Sequence, residues 1–501
     1  MTSEKSVEMC NPDFVVKVSS AVPVAPQYRF SNPVDWTVVK GLNWAVTGPN
    51  GAGKSVLADI LLGRLALRQG VVERSADGLS GEMLPVGCIS FRDIYSLADC
   101  REMYYQQRWN SSDEELSPLA GELFNGIRCE GDIWGPYLKE TVTPLLSRRL
   151  TSLSSGELRK LLVARVLASS PRLLVMDNPF IGLDAVSREQ LSDMLGCISS
   201  TGALQCVLVV SDPADIPSWV DMVMPVKDMS CLSPVSRTDF MADERLQAEL
   251  FGRPDEKSAD LPGSLGQNGK DFDMAVKMNG VTVKYGSRTI LDGVDWRVRR
   301  GEKWALLGGN GSGKSTLLSL ICGDNPQAYA NDITLFDCPR GSGESIWDIK
   351  RRIGYVSPEM HTYYMEDIPC MDVAASGFFD SIGLFRKCNE EQRAAARKWM
   401  DVFGAGDIAE RSFLKVSYGQ QRLVLLVRAF VKNPDLLILD EPFHGLDAGK
   451  KALAGRIVEA YARQKDKTLI FVSHYDSEIP PCVDKRKVLS KPSGVRTSAA
   501  L

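Results

Sequence analysis

Two glycine-rich loops are the residues of this sequence best suited to hold phosphate groups. Both match the pattern G-x-x-x-x-G-K-S, as GPNGAGKS at 48–55 and GGNGSGKS at 308–315, with a β-patterned run before and a helical pattern after. Glycine permits the positive φ angles that turn successive backbone N–H groups toward an anion, and the helix N-terminus adds a favourable dipole. The predicted nucleotide-binding residues of the loops are Gly48, Asn50, Gly51, Gly53, Lys54, Ser55, Gly308, Asn310, Gly311, Gly313, Lys314, Ser315 and Thr316.

A carboxylate follows an apolar strand pattern downstream of each loop. Asp177 ends LLVMD and Asp440 ends LLILD, which places each carboxylate at the carboxyl edge of the predicted sheet, beside a phosphate loop. Mg²⁺ takes oxygen ligands and is held by few protein groups together with substrate phosphates. The sequence therefore predicts two magnesium sites, one at Ser55 and Asp177 and one at Ser315 and Asp440.

A third polar element lies about 22 residues before each aspartate, at the start of a helical pattern. It reads LSSGE at 153–157 and VSYGQ at 416–420. A serine followed by glycine at a helix start can present a hydroxyl and backbone N–H groups to an anion. Within its own copy this turn is remote from the phosphate loop, so a partner copy is needed. The predicted signature residues are Ser154, Ser155, Gly156, Ser417, Tyr418, Gly419 and Gln420.

The elements that position these residues occur twice. A shift of 260 residues pairs VDWTVVKGLNWAV at 34–46 with VDWRVRRGEKWAL at 294–306, and it pairs the two loops. We predict two copies of one domain, at 13–226 (repeat one) and 273–498 (repeat two). Between them, 227–272 is predicted to be an acidic flexible linker, because it is broken by proline and glycine and lacks long apolar periodicity.

Each repeat alternates strand and helix patterns, which indicates an α/β domain with a largely parallel sheet. Helices are predicted at 56–67, 157–168, 316–322 and 420–431, and β runs at 44–47, 173–176, 204–210, 304–307, 436–439 and 468–472. Polar helical inserts are predicted at 92–150 and 371–415.

This arrangement resembles the ABC-type ATPases, in which two nucleotide-binding domains pack head to tail. In that family the signature helix of one domain closes over the nucleotide of the other. GLDA at 182–185 and 445–448 is similar to the D-loop, with Asp184 and Asp447, and His474 is similar to the switch residue. The resemblance implies a tandem P-loop NTPase, each half a RecA-like core with an antiparallel β part and a helical insert. It also implies ATP and Mg²⁺ as ligands and ATP hydrolysis as the activity.

The two copies differ where the resemblance places the catalytic base. LLILDEP at 436–442 has Glu441, whereas LLVMDNP at 173–179 has Asn178, an amide that takes no proton. The switch position holds His474 in repeat two and Asp212 in repeat one. Glu441 and His474 are the predicted catalytic residues, and Asn178 and Asp212 are the predicted degenerate positions.

The composite site at loop two is therefore expected to hydrolyse ATP, and the site at loop one to bind ATP as a clamp with slow turnover, if any. Loss of a general base commonly costs about 10² to 10⁴ in rate, and the Asp212 carboxylate would repel a γ-phosphate. Tyr285 is expected to stack on adenine at loop two, where repeat one has Ala25 and, nearby, Tyr28. Neutral drift of Asn178 and Asp212 in a redundant site is the alternative interpretation.

Composition is typical of a globular protein outside the membrane. The 501 residues are 44% hydrophobic and 24% charged, and the net charge of −4 makes general affinity for nucleic acid unlikely. Twelve cysteines lack any C-x-x-C pair, which favours reduced thiols. The N-terminus has no apolar signal segment, and the chain has no transmembrane run of its own, so a cytoplasmic location is expected.

A narrower resemblance connects the chain to the ModF/PhrA family of soluble tandem ABC ATPases. It rests on GDNPQAYANDITLF at 323–336, GSGESIWDIKRRIGYVS at 341–357 and FFDSIGLF at 378–385. What the ATP-driven motion acts on is not conveyed by these motifs, and a protein partner remains unknown. MYYQQRWNSSDEEL at 103–116 is a possible partner surface, although a solvated helical face is the simpler interpretation.

Two other functions stay open at this point. One is a factor acting on the ribosome or on nucleic acid, against which the acidic, broken linker argues. The other is the ATP-binding subunit of a transporter with separate membrane subunits. Phe91 and Pro358 stand where transporter ATPases carry a coupling glutamine, which weakens that role.

Overall fold

The computed structural model describes residues 14–75, 85–90, 118–124, 142–150, 153, 155–202, 204–252, 261–263, 271–286, 288–309, 311–364, 366–384 and 386–490. The sequence predictions on Phe91, 103–116, Ser154 and Asn310 lie outside this part of the chain, as does most of the predicted insert at 92–150.

The first half of the described chain contains ten strands and five helices. The strands are β1 Phe14–Pro23, β2 Val34–Val39, β3 Trp44–Thr47, β4 Leu67–Arg74, β5 Val86–Ser90, β6 Leu173–Asp177, β7 Gln205–Val210, β8 Met222–Lys227, β9 Ser230–Cys231 and β10 Val235–Ser236. The helices are α1 Lys54–Leu61, α2 Ser155–Leu167, α3 Ala185–Ser200, α4 Arg237–Ala242 and α5 Glu244–Phe251.

The second half has a similar order of elements. Its strands are β11 Met274–Tyr285, β12 Arg288–Arg299, β13 Lys303–Leu307, β14 Asp332–Leu335, β15 Cys338–Pro339, β16 Ile353–Val356, β17 Leu436–Asp440, β18 Thr468–Val472 and β19 Lys485–Val488. Its helices are α6 Lys314–Cys322, α7 Ile346–Arg352, α8 Cys370–Ala375, α9 Glu390–Val402, α10 Tyr418–Phe430 and α11 Ala448–Ala462.

Each half has a central sheet with the same strand order. The order is β5-β6-β7-β3-β8 in repeat one and β16-β17-β18-β13-β19 in repeat two, with all of these pairs parallel. A separate antiparallel sheet stands beside each, with the order β2-β1-β4 and β12-β11-β14-β15. The prediction of an α/β fold with a parallel core and an antiparallel β part is thus confirmed.

The central strands form the hydrophobic cores. Both β6 and β17 are buried along their whole length, as expected for strands covered on two faces. A tryptophan pair joins the antiparallel part to the core in each repeat. The ring centroids are 5.6 Å apart for Trp36 and Trp44, and 5.8 Å apart for Trp296 and Trp304. The repeated V-D-W pattern of the sequence therefore marks a packing contact.

The helix after the first phosphate loop is shorter than predicted. It ends at Leu61 rather than Leu67, because Gly63 adopts a φ of 65° and the chain turns back. Leu67 then begins β4, which pairs antiparallel with β1. The prediction of a helix to Leu67 was wrong because the apolar pattern of this segment serves both a helix and a strand.

The first part of the predicted linker is folded onto repeat one. Strand β10 pairs antiparallel with β8, and helices α4 and α5 place Phe240 and Leu250 in the repeat-one core. Gly449 of α11 lies against the backbone of Phe251, so α5 also contacts repeat two. The insert of repeat two contains α8 and α9, while most of the corresponding insert of repeat one is outside the described residues. None of the helices in the described chain is both long and apolar enough to span a bilayer.

Candidate functional site

The two phosphate loops have the same local geometry. Gly53 and Gly313 adopt φ angles of 105° and 92° at the start of α1 and α6, and no side chain caps either helix. The lysines that follow run back along their loops, with Lys54 Nζ donating to the Gly48 carbonyl at 2.7 Å and Lys314 Nζ to the Gly308 carbonyl at 2.7 Å. Both helices therefore begin directly at a glycine of the loop, which places their N-termini and positive dipole ends beside the predicted phosphate site.

Oxygen donors suited to Mg²⁺ stand beside each loop. Ser55 Oγ donates to Asp177 Oδ2 at 2.8 Å, so the hydroxyl at the start of α1 meets the carboxylate at the end of β6. In repeat two, Asp440 is buried at the end of β17, and Ser315 is exposed in the first turn of α6. Mg²⁺ prefers oxygen ligands and keeps waters and substrate phosphates around it, so one hydroxyl and one carboxylate per site fit this ion.

The position after each strand aspartate has an unusual backbone. Asn178 has a φ of 55° and Glu441 a φ of 47°, both in the left-handed region. Their N–H groups donate to Val209 and Val472, which fixes both turns against the neighbouring strand. Repeat two thus presents a carboxylate at the place where repeat one presents an amide.

The two side chains have different partners. Glu441 Oε1 is 2.8 Å from His474 Nε2. Asn178 Nδ2 instead donates to Asp177 Oδ1 at 2.7 Å, so the amide is turned onto the carboxylate of its own site. The predicted base and switch residues of repeat two are therefore in direct contact, and Asn178 is engaged with the predicted metal ligand.

The electrostatics of repeat two favour an ionised Glu441. Burial by itself would raise the pKa of Glu441, but the hydrogen bond with His474 and nearby positive charges, including Lys314, hold it below its ordinary value. Burial and the neighbouring Glu441 carboxylate raise the pKa of Asp440, against the effect of Lys314. Burial also lowers the pKa of Lys314.

Residues of repeat two close over the phosphate loop of repeat one. Asn50 N donates to Asp447 Oδ2 at 2.8 Å, and Asn50 Nδ2 donates to the Gly445 carbonyl at 3.0 Å. A Cβ on Gly419 would lie 1.8 Å from Asn50 Nδ2, and one on Gly51 would lie 3.8 Å from Gln420 Nε2. The signature turn and the D-loop of repeat two thus meet the first phosphate loop.

The described residues include only part of the segment of repeat one that would face the second phosphate loop. Burial lowers the pKa of Lys314, and the charge of Asp184, in the D-loop of repeat one, opposes part of that shift together with Asp440 and Glu441. A Cβ on Gly182 would lie 3.2 Å from the His444 ring, so this D-loop also crosses to repeat two. Gly156 is buried at the start of α2, beside Ser187 of its own repeat. The side chain of Ser155, like Ser154, is outside the described residues.

The signature turn of repeat two is held by a capping box. Gln420 N donates to Ser417 Oγ at 3.4 Å, and Ser417 N donates to Gln420 Oε1 at 2.9 Å. Tyr418 is packed edge-to-face on His444, with ring centroids 6.1 Å apart. The serine hydroxyl therefore sits at the helix start, as expected from the sequence.

Two predicted positions have partners that the sequence did not indicate. Asp212 Oδ2 lies 3.4 Å from Lys451 Nζ of repeat two, so its charge is paired across the repeats. Tyr285 ends β11, and its hydroxyl accepts a hydrogen bond from Asn325 Nδ2 at 2.9 Å. Ala25 precedes a short 3₁₀ turn at 26–28.

Sequence reasoning missed a buried arginine behind each signature turn. Arg422 is 2% exposed and donates to the carbonyls of Ser357, Asp440, Glu441 and Pro442. Arg159, at the matching place in repeat one, donates to the Pro179 carbonyl at 2.7 Å. The signal was available, because an arginine stands three residues after the signature glycine in both copies.

Comparisons with known proteins agree on the family. A family model described as ABC transporter matches residues 31–181 and 291–444. The ABC transporter ATP-binding protein ModF of Escherichia coli is 36% identical over 474 residues, covering 90% of this chain and 91% of ModF. An uncharacterised ABC transporter ATP-binding protein of Schizosaccharomyces pombe is 28% identical, covering 94% of this chain and 97% of that protein.

Solved structures share the tandem architecture. An archaeal ribosome recycling factor in complex with a ribosomal stalk protein superposes with a TM-score of 0.56 at 17% identity, covering 94% of this chain and 87% of that one. A structure named RNase-L Inhibitor gives 0.56 at 19% identity, covering 93% and 87%. These likenesses concern the fold. Since the family model spans more than half of the sequence and ModF aligns along nearly all of it, the chain belongs to the ABC transporter family of ATP-binding proteins, with two ABC domains in tandem.

Proposed function

We propose that this protein is a conformational switch that binds two ATP molecules at head-to-tail composite sites and hydrolyses ATP mainly at the site of repeat two. ATP would close the repeats on each other, and hydrolysis beside Glu441 would reopen them. Members of the ABC family bind ATP with Mg²⁺ and in general hydrolyse it. Our finer proposal is that hydrolysis occurs mainly at the site of repeat two.

The observation that carries this proposal is the contrast between Glu441 and Asn178. Glu441 is buried and in contact with His474, and its pKa is held below the ordinary value, which favours the carboxylate form that a group orienting and deprotonating water needs. Asn178 can accept no proton, and its amide is already bonded to Asp177. The two sites share phosphate loops and metal donors and differ in the base.

The chain's other groups fit supporting roles. Lys314 and the uncapped first turn of α6 would hold the β- and γ-phosphates, and Ser315 with Asp440 would hold Mg²⁺, which neutralises charge on the phosphates. His474 would keep Glu441 in register with the γ-phosphate. At loop one, Asp447 and Gly419 already contact Asn50, which supports closure by the partner repeat.

The test is the steady-state ATPase rate of the full chain carrying Glu441→Gln or Asn178→Glu. We expect the glutamine variant to lose about 10² to 10⁴ in kcat, with ATP binding retained. The glutamate variant should change kcat modestly, because a new carboxylate beside Asp177 does not restore a histidine at position 212. Equal, partial losses in both variants would show that the two sites work alike.

A transporter subunit is the second candidate, favoured because ModF and the Schizosaccharomyces pombe relative are named as ABC transporter ATP-binding proteins. Pro358 stands at the coupling position of repeat two, where it begins a 3₁₀ turn at 358–363. Co-purification of membrane subunits with the chain from detergent extracts would establish this role. If no membrane subunit co-purifies when the extract contains saturating ATP, the result counts against it.

A further inference from the structure

The residue at the switch position of repeat one is joined to the other repeat. Asp212 follows β7, and its Oδ1 accepts a hydrogen bond from Ala214 N at 2.9 Å, which fixes the carboxylate. Its Oδ2 lies 3.4 Å from Lys451 Nζ, on the second turn of α11 in repeat two. Both side chains are mostly buried, 17% exposed for Asp212 and 31% for Lys451. The Asp212 carboxylate therefore takes part in a contact between the two repeats.

Lys451 also links this carboxylate to the switch segment of repeat two. Its Nζ lies 2.7 Å from Glu478 Oε1, and Glu478 Oε2 accepts a hydrogen bond from Ser473 Oγ at 2.8 Å. Ser473 directly precedes His474. Burial alone would lower the pKa of Lys451, but Glu478 and Asp212 raise it, so the amine stays charged.

A second contact ties the other side of His474 to repeat one. Tyr475 donates its hydroxyl hydrogen to the Leu183 carbonyl at 3.0 Å, within the D-loop of repeat one. The guanidinium of Arg188 lies 5.9 Å from the centre of the Tyr475 ring and is paired with Asp215 at 2.6 Å. His474 is thus flanked by two residues whose positions depend on repeat one.

We propose that Asp212 and Lys451 form a latch between the repeats that positions His474 for catalysis at the site of repeat two. The degenerate switch residue of repeat one therefore acts on the opposite site. This inference rests on the proposed function, since it assigns a regulator to the Glu441 site. Lys451 and Tyr475 are positioning residues, because they reach the reacting groups through Ser473 and His474.

The expected loss of kcat follows from displacement of His474 more than from the strength of the Asp212–Lys451 ion pair. Loss of this partly buried pair should leave the fold intact, because Asp212 still accepts from Ala214 N when Lys451 is replaced, and Lys451 still pairs with Glu478 when Asp212 is replaced. Displacement of a catalytic group by about 1 Å can cost about 10²-fold in rate. A kinetic effect without a matching loss of stability is the expected signature.

The experiment compares Asp212→Asn, Lys451→Met and the double variant in the full chain. Each single change should lower kcat about tenfold to a hundredfold, with KM for ATP within about threefold, as expected for an interaction that acts on the transition state. The double variant should be no slower than the slower single variant, because both changes break one connection. Asp212→Glu should recover most of the rate, and thermal unfolding should match that of the unmodified chain.

The matched control is Lys450→Met, the same substitution one residue earlier on α11. Lys450 Nζ donates to the Gly404 carbonyl of its own repeat. Its kcat should stay within about twofold of the unmodified protein. Independent, additive losses at Asp212 and Lys451 would overturn the latch, as would unchanged kcat in both.

Glu441→Gln separates this idea from the proposed function. If that variant is inactive while Asp212→Asn and Lys451→Met keep full kcat, the latch is wrong and the catalytic assignment stands. If Glu441→Gln hydrolyses ATP at the unmodified rate, the catalytic assignment itself is wrong.

Discussion

The residue after each strand aspartate shows how one side chain can separate two similar sites. A left-handed backbone costs about 1 kcal/mol for most residues, whereas asparagine adopts it readily. Glu441 keeps this conformation with a φ of 47°, held by its N–H bond to Val472 and the contact with His474. Such strain is typical of functional positions. Asn178 occupies the same turn at lower cost and without a base.

Gly419 is the residue on which closure over the first phosphate loop depends. A Cβ there would lie 1.8 Å from Asn50 Nδ2 and 2.9 Å from the Gly445 carbonyl, so Gly419→Ala must displace the Asn50 side chain from its contacts with repeat two. In the Glu441→Gln background, we expect the affinity of one of the two bound ATP molecules to fall about tenfold, or about 1.4 kcal/mol. Isothermal titration calorimetry with Mg²⁺ and ATP measures this loss.

Gly455→Ala is the control for this substitution. It lies on α11, where the nearest atom to a new Cβ is Phe443 Cζ at 3.8 Å, an ordinary contact. This variant should bind both ATP molecules as before and gain up to about 1 kcal/mol in helix stability. Unchanged affinity in Gly419→Ala would mean that the signature turn does not close over loop one.

At the scale of elements, the signature helix α10 is joined to the catalytic strand by Arg422. Four backbone carbonyls accept hydrogen bonds from this one guanidinium, at the end of β17, at the turn after it and at Ser357 after β16. Burial lowers its pKa, while Tyr418 and Glu441 favour the charged form. The signature helix and the turn that carries Glu441, the proposed base, are thus connected through one side chain.

Arg422→Met should therefore destabilise repeat two strongly. Removing the guanidinium leaves buried carbonyls without partners, at a cost of about 1–3 kcal/mol for each unsatisfied group that stays buried, so a net loss of about 2–4 kcal/mol is expected. Urea unfolding followed by tryptophan fluorescence measures the change in the repeat-two transition. Arg393→Met is the matched control, since that side chain is 56% exposed and lies 3.8 Å from Asp372. A similar shift of the midpoint in both variants would contradict a special role for Arg422.

The sequence predicts elements well where a pattern has one physical cause. Backbone φ requirements predict the glycine loops, and burial predicts the apolar strands β6 and β17 and the signature helices. Each of these patterns occurs in both repeats, which strengthens the prediction. The segment 62–67 was misassigned because its leucines and alanine suit both a helix and a strand. The partners of Asp212 and Tyr475 could not be predicted, since they depend on how the repeats pack and not on local patterns.

At the scale of the molecule, several of the contacts between the repeats within the described residues are polar. Asn50 with Asp447, Asp212 with Lys451 and Tyr475 with Leu183 connect the halves through hydrogen bonds and one ion pair. Interfaces of this kind open and close more readily than a continuous apolar core. The architecture therefore suits reversible closure better than permanent association.

The charge of the whole chain favours the proposed switch over a factor that acts on the ribosome. Binding to nucleic acid rests largely on neutralising phosphates with lysine and arginine, and it weakens steeply between about 50 and 200 mM salt. A net charge of −4 gives no such general attraction. We expect Glu441→Gln, trapped with Mg²⁺ and ATP, to stay in the supernatant when ribosomes are sedimented at either salt concentration. A basic RNA-binding protein sedimented in parallel supplies the positive control, and a bound fraction of the trapped variant that falls with salt would instead establish the ribosome as a partner.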